Sequence, residues 1–273
     1  MLQPPYRTIG VASTFSPRFV QVLAEAKRMR DRFGARLNLI YVGEKSEQTI
    51  RKFGKVFREL ELPADLAVHY QTGDPASAIL EAAAANGVDL IVAGALEKEV
   101  VHRTFLGNVA RRLVRQSRCS VILFTKPERE PQPLQRIVFI AEYSGHGRRA
   151  LKQAVHLAAA ESCERLYVIT VYTSFDEARA ALRENADQSS DARTLDEEEA
   201  ALEKFIDSAG STEVPIEARC IRGNTGYAAL DFIQSVDANL LIVPIEPALE
   251  SADLPPHIAW ITETIPCNLW VVR

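Results

Sequence analysis

Short apolar runs alternate with amphipathic stretches along this chain, and the period switches regularly between that of a strand and that of a helix. Thr8–Ala12, Arg36–Val42, Asp65–Tyr70 and Leu90–Ala93 have strand length. The last contains no polar residue, as expected of a strand buried on both faces. Arg18–Phe33 and Ser46–Leu60 read as helices, the first stopped by Gly34 and the second keeping Lys and Arg outward. Asp74 stands where it can cap a third helix beginning at Pro75, a residue that loses nothing there because that N–H has no helical partner. Asn86-Gly87 closes it. Leu106, Val109, Ala110, Leu113 and Val114 then recur at helical spacing with Arg111, Arg112 and Arg115 opposite, so Gly107 and Asn108 fall at a helix N-terminus. Val121–Phe124 follows as another buried strand. Strands alternating with helices predict a parallel, doubly wound α/β sheet, and a helix N-terminus between parallel strands is a natural anion site.

The second half repeats the first. Gly73, Leu80 and Leu90 match Gly223, Leu230 and Leu240 at one offset (223 − 73 = 150), whereas Arg36-Leu37 matches Arg165-Leu166, and Val11-Ala12 matches Ile140-Ala141, at another (166 − 37 = 129). The difference (150 − 129 = 21) places an insertion of that many residues between Thr173 and Ser211, read as a long charged helix interrupted around Gln188–Asp191. The segment PEREPQPL is rich in proline and charge, which disfavours packed structure. The expected organisation is a domain over 1–126, a linker over 127–134 and a second domain over 135–273.

Composition narrows the function. With 273 residues, 47% of them apolar, the chain has ample material for two cores, and no apolar run approaches a membrane span. The expected setting is cytoplasmic. A net charge of −4 gives no broad attraction to nucleic acid or anionic lipid, so neither is expected as a partner. Cys119, Cys163, Cys220 and Cys267 form no CxxC pair and read as reduced thiols. The five histidines, His69, His102, His146, His156 and His257, show no metal-ligand spacing, and no GxSxG elbow accompanies a serine. No metal site and no catalytic residue is therefore expected. His156 and both tryptophans, Trp260 and Trp270, read as packing residues.

The opening IVFIAEYSGHGRRALKQAVHLA, the segment GDPASAILEAAAANGVDLIVAG and the stretch TFLGNVARRLVRQSRCSVILF, within this repeat, resemble the universal stress proteins in their tandem two-domain form. The resemblance covers nearly the whole chain. It implies two Rossmann-like domains of the adenine nucleotide alpha hydrolase-like type, each a five-stranded parallel sheet sandwiched by helices. It also implies that Val121–Phe124 and Leu269–Val272, the last strands of the two copies, pair within one chain; further assembly of two chains into a homodimer is a separate expectation. Nucleotide-binding members carry Gly, two residues, Gly, nine residues, then Gly followed by Ser or Thr. Here Gly94 and Gly107 keep the first and third glycines, Glu97 replaces the second, and Asn108 stands for the hydroxyl. An Asp usual at the end of the first strand is Ser13 in this copy and Glu142 in the other, while Val42 keeps an apolar contact. The implied ligand is ATP or a related adenine nucleotide with its accompanying magnesium, held by Ala12, Ser13, Val42, Gly94, Ala95, Gly107, Asn108 and Val109.

Each departure has a physical effect. Glu97 removes a glycine's close backbone approach and adds a carboxylate near the phosphates, whereas Asn108 still offers an amide N–H. Lys98, His102 and Arg103 are placed to offset that charge, or to form a solvated loop. In the second copy Pro244 replaces Gly94 and Pro255-Pro256 lie near the helix start, and proline has no N–H to donate. Nucleotide binding is thus expected in the first copy only. The expected function is a stress-response or regulatory binding protein rather than an enzyme. The alternatives are a nucleotide-free scaffold acting through a partner surface such as Asp176–Glu203, and, with less support, slow hydrolysis or nucleotidyl transfer.

Overall fold

The computed structural model describes residues 5–13, 16–95, 98–100, 103–185, 192–223, 226–246, 258–262 and 264–273. The described chain separates into two compact units, one formed by the residues up to Gln132 together with Thr262–Arg273, the other by Pro133–Glu246 and the segment ending at Ile261.

The first unit contains β1 (Thr8–Ser13), α1 (Phe19–Phe33), β2 (Arg36–Val42), α2 (Glu47–Glu59), β3 (Val68–Gln71), α3 (Pro75–Ala85), β4 (Leu90–Gly94), a hairpin of β5 (Lys98–Val100) and β6 (Arg103–Phe105), α4 (Asn108–Gln116) and β7 (Ser120–Phe124). The second contains β8 (Arg136–Ile140), α5 (Gly145–Ala160), β9 (Arg165–Tyr172), α6 (Ser174–Asn185), α7 (Leu195–Asp207), β10 (Ile216–Arg222), α8 (Gly226–Ser235) and β11 (Leu240–Pro244). A 3-10 turn, Ala259–Thr262, precedes the final strand β12 (Asn268–Val272).

Strands of the first unit run in the order β12-β7-β4-β1-β2-β3. The five from β7 to β3 are parallel, and β12 is added antiparallel to β7 with Trp270 opposite Ile122. Those of the second unit run β10-β9-β8-β11, all parallel. The chain is thus an α/β protein of doubly wound, Rossmann-like sheets, as its alternating periods predict. The strand closing the second copy in sequence lies in the first unit.

Burial explains the strand pattern. Leu90, Ile91, Val92, Val121, Ile122 and Leu123 are fully buried, each contributing about 1.5–3 kcal/mol through the apolar surface it removes from water. Helix starts are set by capping side chains: Ser46 accepts from Thr49 N, Asp74 from Ser77 N, Ser144 from His146 N and Gly147 N, and Thr194 from Glu197 N in a reciprocal capping box. Trp270 anchors β12 against Tyr6 and Phe33, at ring-centroid distances of 6.1 and 5.6 Å. Its indole N–H donates to the Tyr6 hydroxyl at 3.2 Å, which donates to Ser120 Oγ at 2.9 Å, while the Arg273 amide donates to the same Oγ at 3.0 Å. Burial raises the Tyr6 phenol well above its ordinary pKa, so that hydroxyl keeps its proton.

Several details differ from the sequence expectation. The β5–β6 hairpin occupies a segment read as a solvated loop. The linker is irregular but pinned: Arg129 pairs with Glu59 of α2 at 2.7 Å, and Arg28 of α1 donates to the Gln132 carbonyl. His156 lies exposed on α5 rather than among its buried residues, and Trp260 is half-buried. The expected break at Gln188–Asp191 lies outside the described residues, with α6 and α7 on either side. All four cysteines are free thiols.

The register of the repeat also shifts. Ile9 pairs with Leu90 and Leu37, and Ile137 pairs with Leu240 and Leu166, so the first strands of the two copies correspond at 137 − 9 = 128. The counterpart of Ser13 is therefore Ala141, and Glu142 is one residue beyond it. A strand buried on both faces accepts either register in its sequence pattern, which is why the slip was invisible there.

Candidate functional site

Strand order in the first unit reverses between β1 and β4: from β1 the sheet grows through β2 to β3 on one side and through β4 to β7 on the other. The crevice beyond the carboxyl ends of strands at such a reversal is where open α/β sheets place ligands. A cavity of about 330 Å³ lies there. Ala12 and Ser13 at the end of β1, and Ala93, Gly94 and Ala95 at the end of β4, line its floor. Phe19 and Val22 of α1, Pro75 and Ile79 of α3, and Gly107 to Ala110 with Leu113 of α4 form its walls.

Seven of the eight residues expected to hold a ligand, Ala12, Ser13, Gly94, Ala95, Gly107, Asn108 and Val109, line this one cavity. Val42 does not; it ends β2, one strand beyond β1. Glu97 and His102 lie outside the described residues, and Lys98 and Arg103 fall in β5 and β6. Gly94 is required for packing: a β-carbon there would lie 2.9 Å from Val22 Cγ2. Its small size lets α1 approach the end of β4.

The open character of the cavity comes from two helix ends. The N-cap residue of α4 is Gly107, which has no side chain to offer, so the first amides of that helix face the cavity without a side-chain cap. Arg18, at the start of α1, makes no capping bond either. Both helix dipoles therefore present positive ends to the same space. Asp74 fixes one wall. Besides capping α3 it pairs with Arg112 of α4 at 2.6 Å, and Arg112 reaches Ser77 Oγ at 2.9 Å. Hydrogen bonds from Ser77, then the Arg112 guanidinium, hold the Asp74 carboxyl below its ordinary pKa.

Arg18 and Ser16, which also line the cavity, were missed in sequence. Arg18 Nη1 donates to the Thr125 carbonyl at 3.1 Å, a partner 107 residues away. No local pattern announces such a contact.

The corresponding end of the second unit is arranged differently. The Glu142 carboxylate accepts from Ser144 N and Gly147 N, each at 3.1 Å, and from the Ser144 hydroxyl. Together with Ser144 Oγ it covers the first amides of α5. A β-carbon at Gly147 would collide with the Glu142 carbonyl oxygen, so only glycine allows this closure. Pro244 ends β11 in the place of Gly94, and Pro255 and Pro256 lie outside the described residues. Among the described residues no group of three His, Cys, Asp or Glu is gathered to hold a metal ion, and no helix is long and apolar enough to cross a membrane.

Two doubly wound repeats, one retaining an open crevice at its reversal point, define a tandem α/β protein of the Rossmann-like class. The universal stress protein family model matches residues 44–125 and 133–273, and the chain belongs to that family. A universal stress protein of Methanocaldococcus jannaschii is 32% identical over 89 residues, a match covering 32% of this chain and 50% of that relative. The chain therefore spans about half the length of that curated relative. Among solved structures, a protein from Pseudomonas aeruginosa assigned to the universal stress proteins superposes with a TM-score of 0.72 at 15% identity, over 100% of this chain and 95% of the other. One from Archaeoglobus fulgidus does so with a TM-score of 0.63 at 15% identity, over 100% and 99%. The cytoplasmic domain of a prokaryotic cation chloride cotransporter also superposes, with a TM-score of 0.51 at 14% identity over 97% and 94%. The last likeness shows that this fold alone does not select a function.

Proposed function

We propose that this universal stress protein is a cytoplasmic regulatory binding protein whose first unit takes ATP or a related adenine nucleotide, with magnesium on its phosphates. The second unit holds no nucleotide in this reading. The observation that carries it is the cavity at the strand-order reversal, where the uncapped start of α4 meets Gly94 and Ala95. Phosphates suit the positive helix ends, and the apolar walls from Phe19, Val22, Ile79 and Leu113 suit a base and sugar. Ser13 and Asn108 fit as neutral hydrogen-bonding groups. The described lining residues are apolar or neutral apart from Arg18, which suits binding, and the reading is binding without turnover. Assembly of two chains into a homodimer belongs to the same proposal and is checked by light scattering.

Calorimetric titration of the full chain with MgATP tests the reading. Saturable binding to one site per chain is expected, and Gly107→Val should abolish it by placing a branched side chain at the mouth. Absence of binding at millimolar nucleotide in a folded sample would overturn it. A nucleotide-free scaffold is the rival, favoured by one observation: Phe175 and Leu182 of α6 are 67% and 68% exposed. In that case removal of α6 abolishes partner capture while ATP leaves the melting temperature unchanged.

A further inference from the structure

We infer that Arg18 is the specificity-determining residue that makes this cavity prefer a phosphate-bearing ligand to an uncharged one. The inference rests on the nucleotide reading above and adds a residue and a selection rule to it. Among the described residues lining the cavity, Arg18 is the only charged one. Although exposed to solvent at the rim, it is the charge that sets the sign of the potential in a space whose walls are mainly apolar.

Its position is fixed by the fold. Arg18 follows β1, yet its guanidinium bonds the carbonyl of Thr125, which follows β7. In the sheet β4 lies between those two strands, so the side chain crosses the carboxyl end of β4, where Gly94 and Ala95 line the cavity. Gly107 and Asn108 at the start of α4 line the same cavity as Arg18. Guanidinium and helix terminus then face one compact anion from two directions, an arrangement suited to phosphate oxygens. The Thr125 carbonyl is a neutral acceptor, and a phosphate competing for the same donors forms the stronger, charge-assisted bonds.

Comparison with the other repeat supports a role particular to this unit. Buried positions of α1 and α5 correspond at 147 − 19 = 128, with Phe19, Val22, Leu23 and Ala26 matching Gly147, Ala150, Leu151 and Ala154. The counterpart of Arg18 is then His146, which is buried at 6% exposure. In the unit whose helix start is covered by Glu142, this position holds a buried histidine in place of an arginine.

The test titrates the full chain and its Arg18→Gln and Arg18→Lys variants with ATP and with adenosine, checking each variant's melting curve. Arg18→Gln should weaken ATP about tenfold while leaving adenosine unchanged, the loss expected for one charge-assisted contact. Arg18→Lys should recover part of the loss, and added salt should weaken ATP binding more steeply in the parent than in Arg18→Gln. Equal weakening of both ligands, or of neither, overturns the role of Arg18 while the nucleotide reading stands. If the parent binds neither ligand, the reading falls and this inference with it.

Discussion

The two units descend from one repeat and have diverged in opposite directions. The first has six strands in its main sheet, an aromatic anchor on the added one and an open crevice. The second has four strands in its described sheet and covers the start of α5, the counterpart of α1, with its own carboxylate. In the first, Arg18 at the start of α1 makes no side-chain capping bond; in the second, Glu142 and Ser144 accept from the first amides of the corresponding helix, α5. A helix start without a side-chain cap leaves its amides to water or a ligand, whereas a capped one gains local stability and offers those amides to nothing else. Divergence of a duplicated domain can therefore be read from where each copy spends its polar groups.

The strongest way to break this comparison is to attack the added strand. Trp270→Ala removes a fully buried indole and its bond to Tyr6, and should cost about 3–5 kcal/mol. Hydrogen exchange should show amides of β4 and β7 losing protection while those of β8 and β9 keep theirs. Equal loss in both units would mean that they do not differ in this dependence. A smaller effect tests the covered helix start. Glu142→Ala removes the acceptor for Ser144 N and Gly147 N, and denaturant titration should show about 1–2 kcal/mol of destabilisation. ATP binding stoichiometry should not rise above one, because Pro244 still ends β11 in place of glycine. The smallest effect concerns the cavity wall. Asp74 has a lowered pKa, so its ionised form is favoured by folding; that stability is present above its unfolded value of about 3.9 and is lost as pH falls through the folded value. Asp74→Asn retains a capping side chain but not the charge facing Arg112. Its melting temperature should decline less between pH 5 and about 3 than the parent's, by a degree or so given the exposure of the pair.

Much of this was legible in the chain because burial writes itself into periodicity. Leu90–Ala93 and Val121–Phe124 could be only buried strands, and Asp74-Pro75 could only start a helix. Helical spacing places Gly107 and Asn108 at a helix N-terminus, while the rest of the candidate set comes from the resemblance to the family. What escaped notice depends on distant partners. Arg18 follows a polar turn and is indistinguishable from a solvated arginine until the sheet brings Thr125 near it. Glu142 read as a replaced aspartate, whereas its work is to cover α5, one position beyond the true counterpart of Ser13. The β5–β6 hairpin has strands of three residues, too short for alternation to show.

The position of β12 carries a consequence for synthesis. Ile122 finds its partner Trp270 only after 270 − 122 = 148 further residues have been made. A chain leaving the ribosome can assemble the second unit's four strands while the first still lacks its edge, since domains fold as their residues emerge. Until Trp270 arrives, the exposed flank of β7 is an open template for strands of other chains. The first unit to be translated is thus the last to be sealed, and its vulnerable period is set by translation speed rather than by its own folding rate.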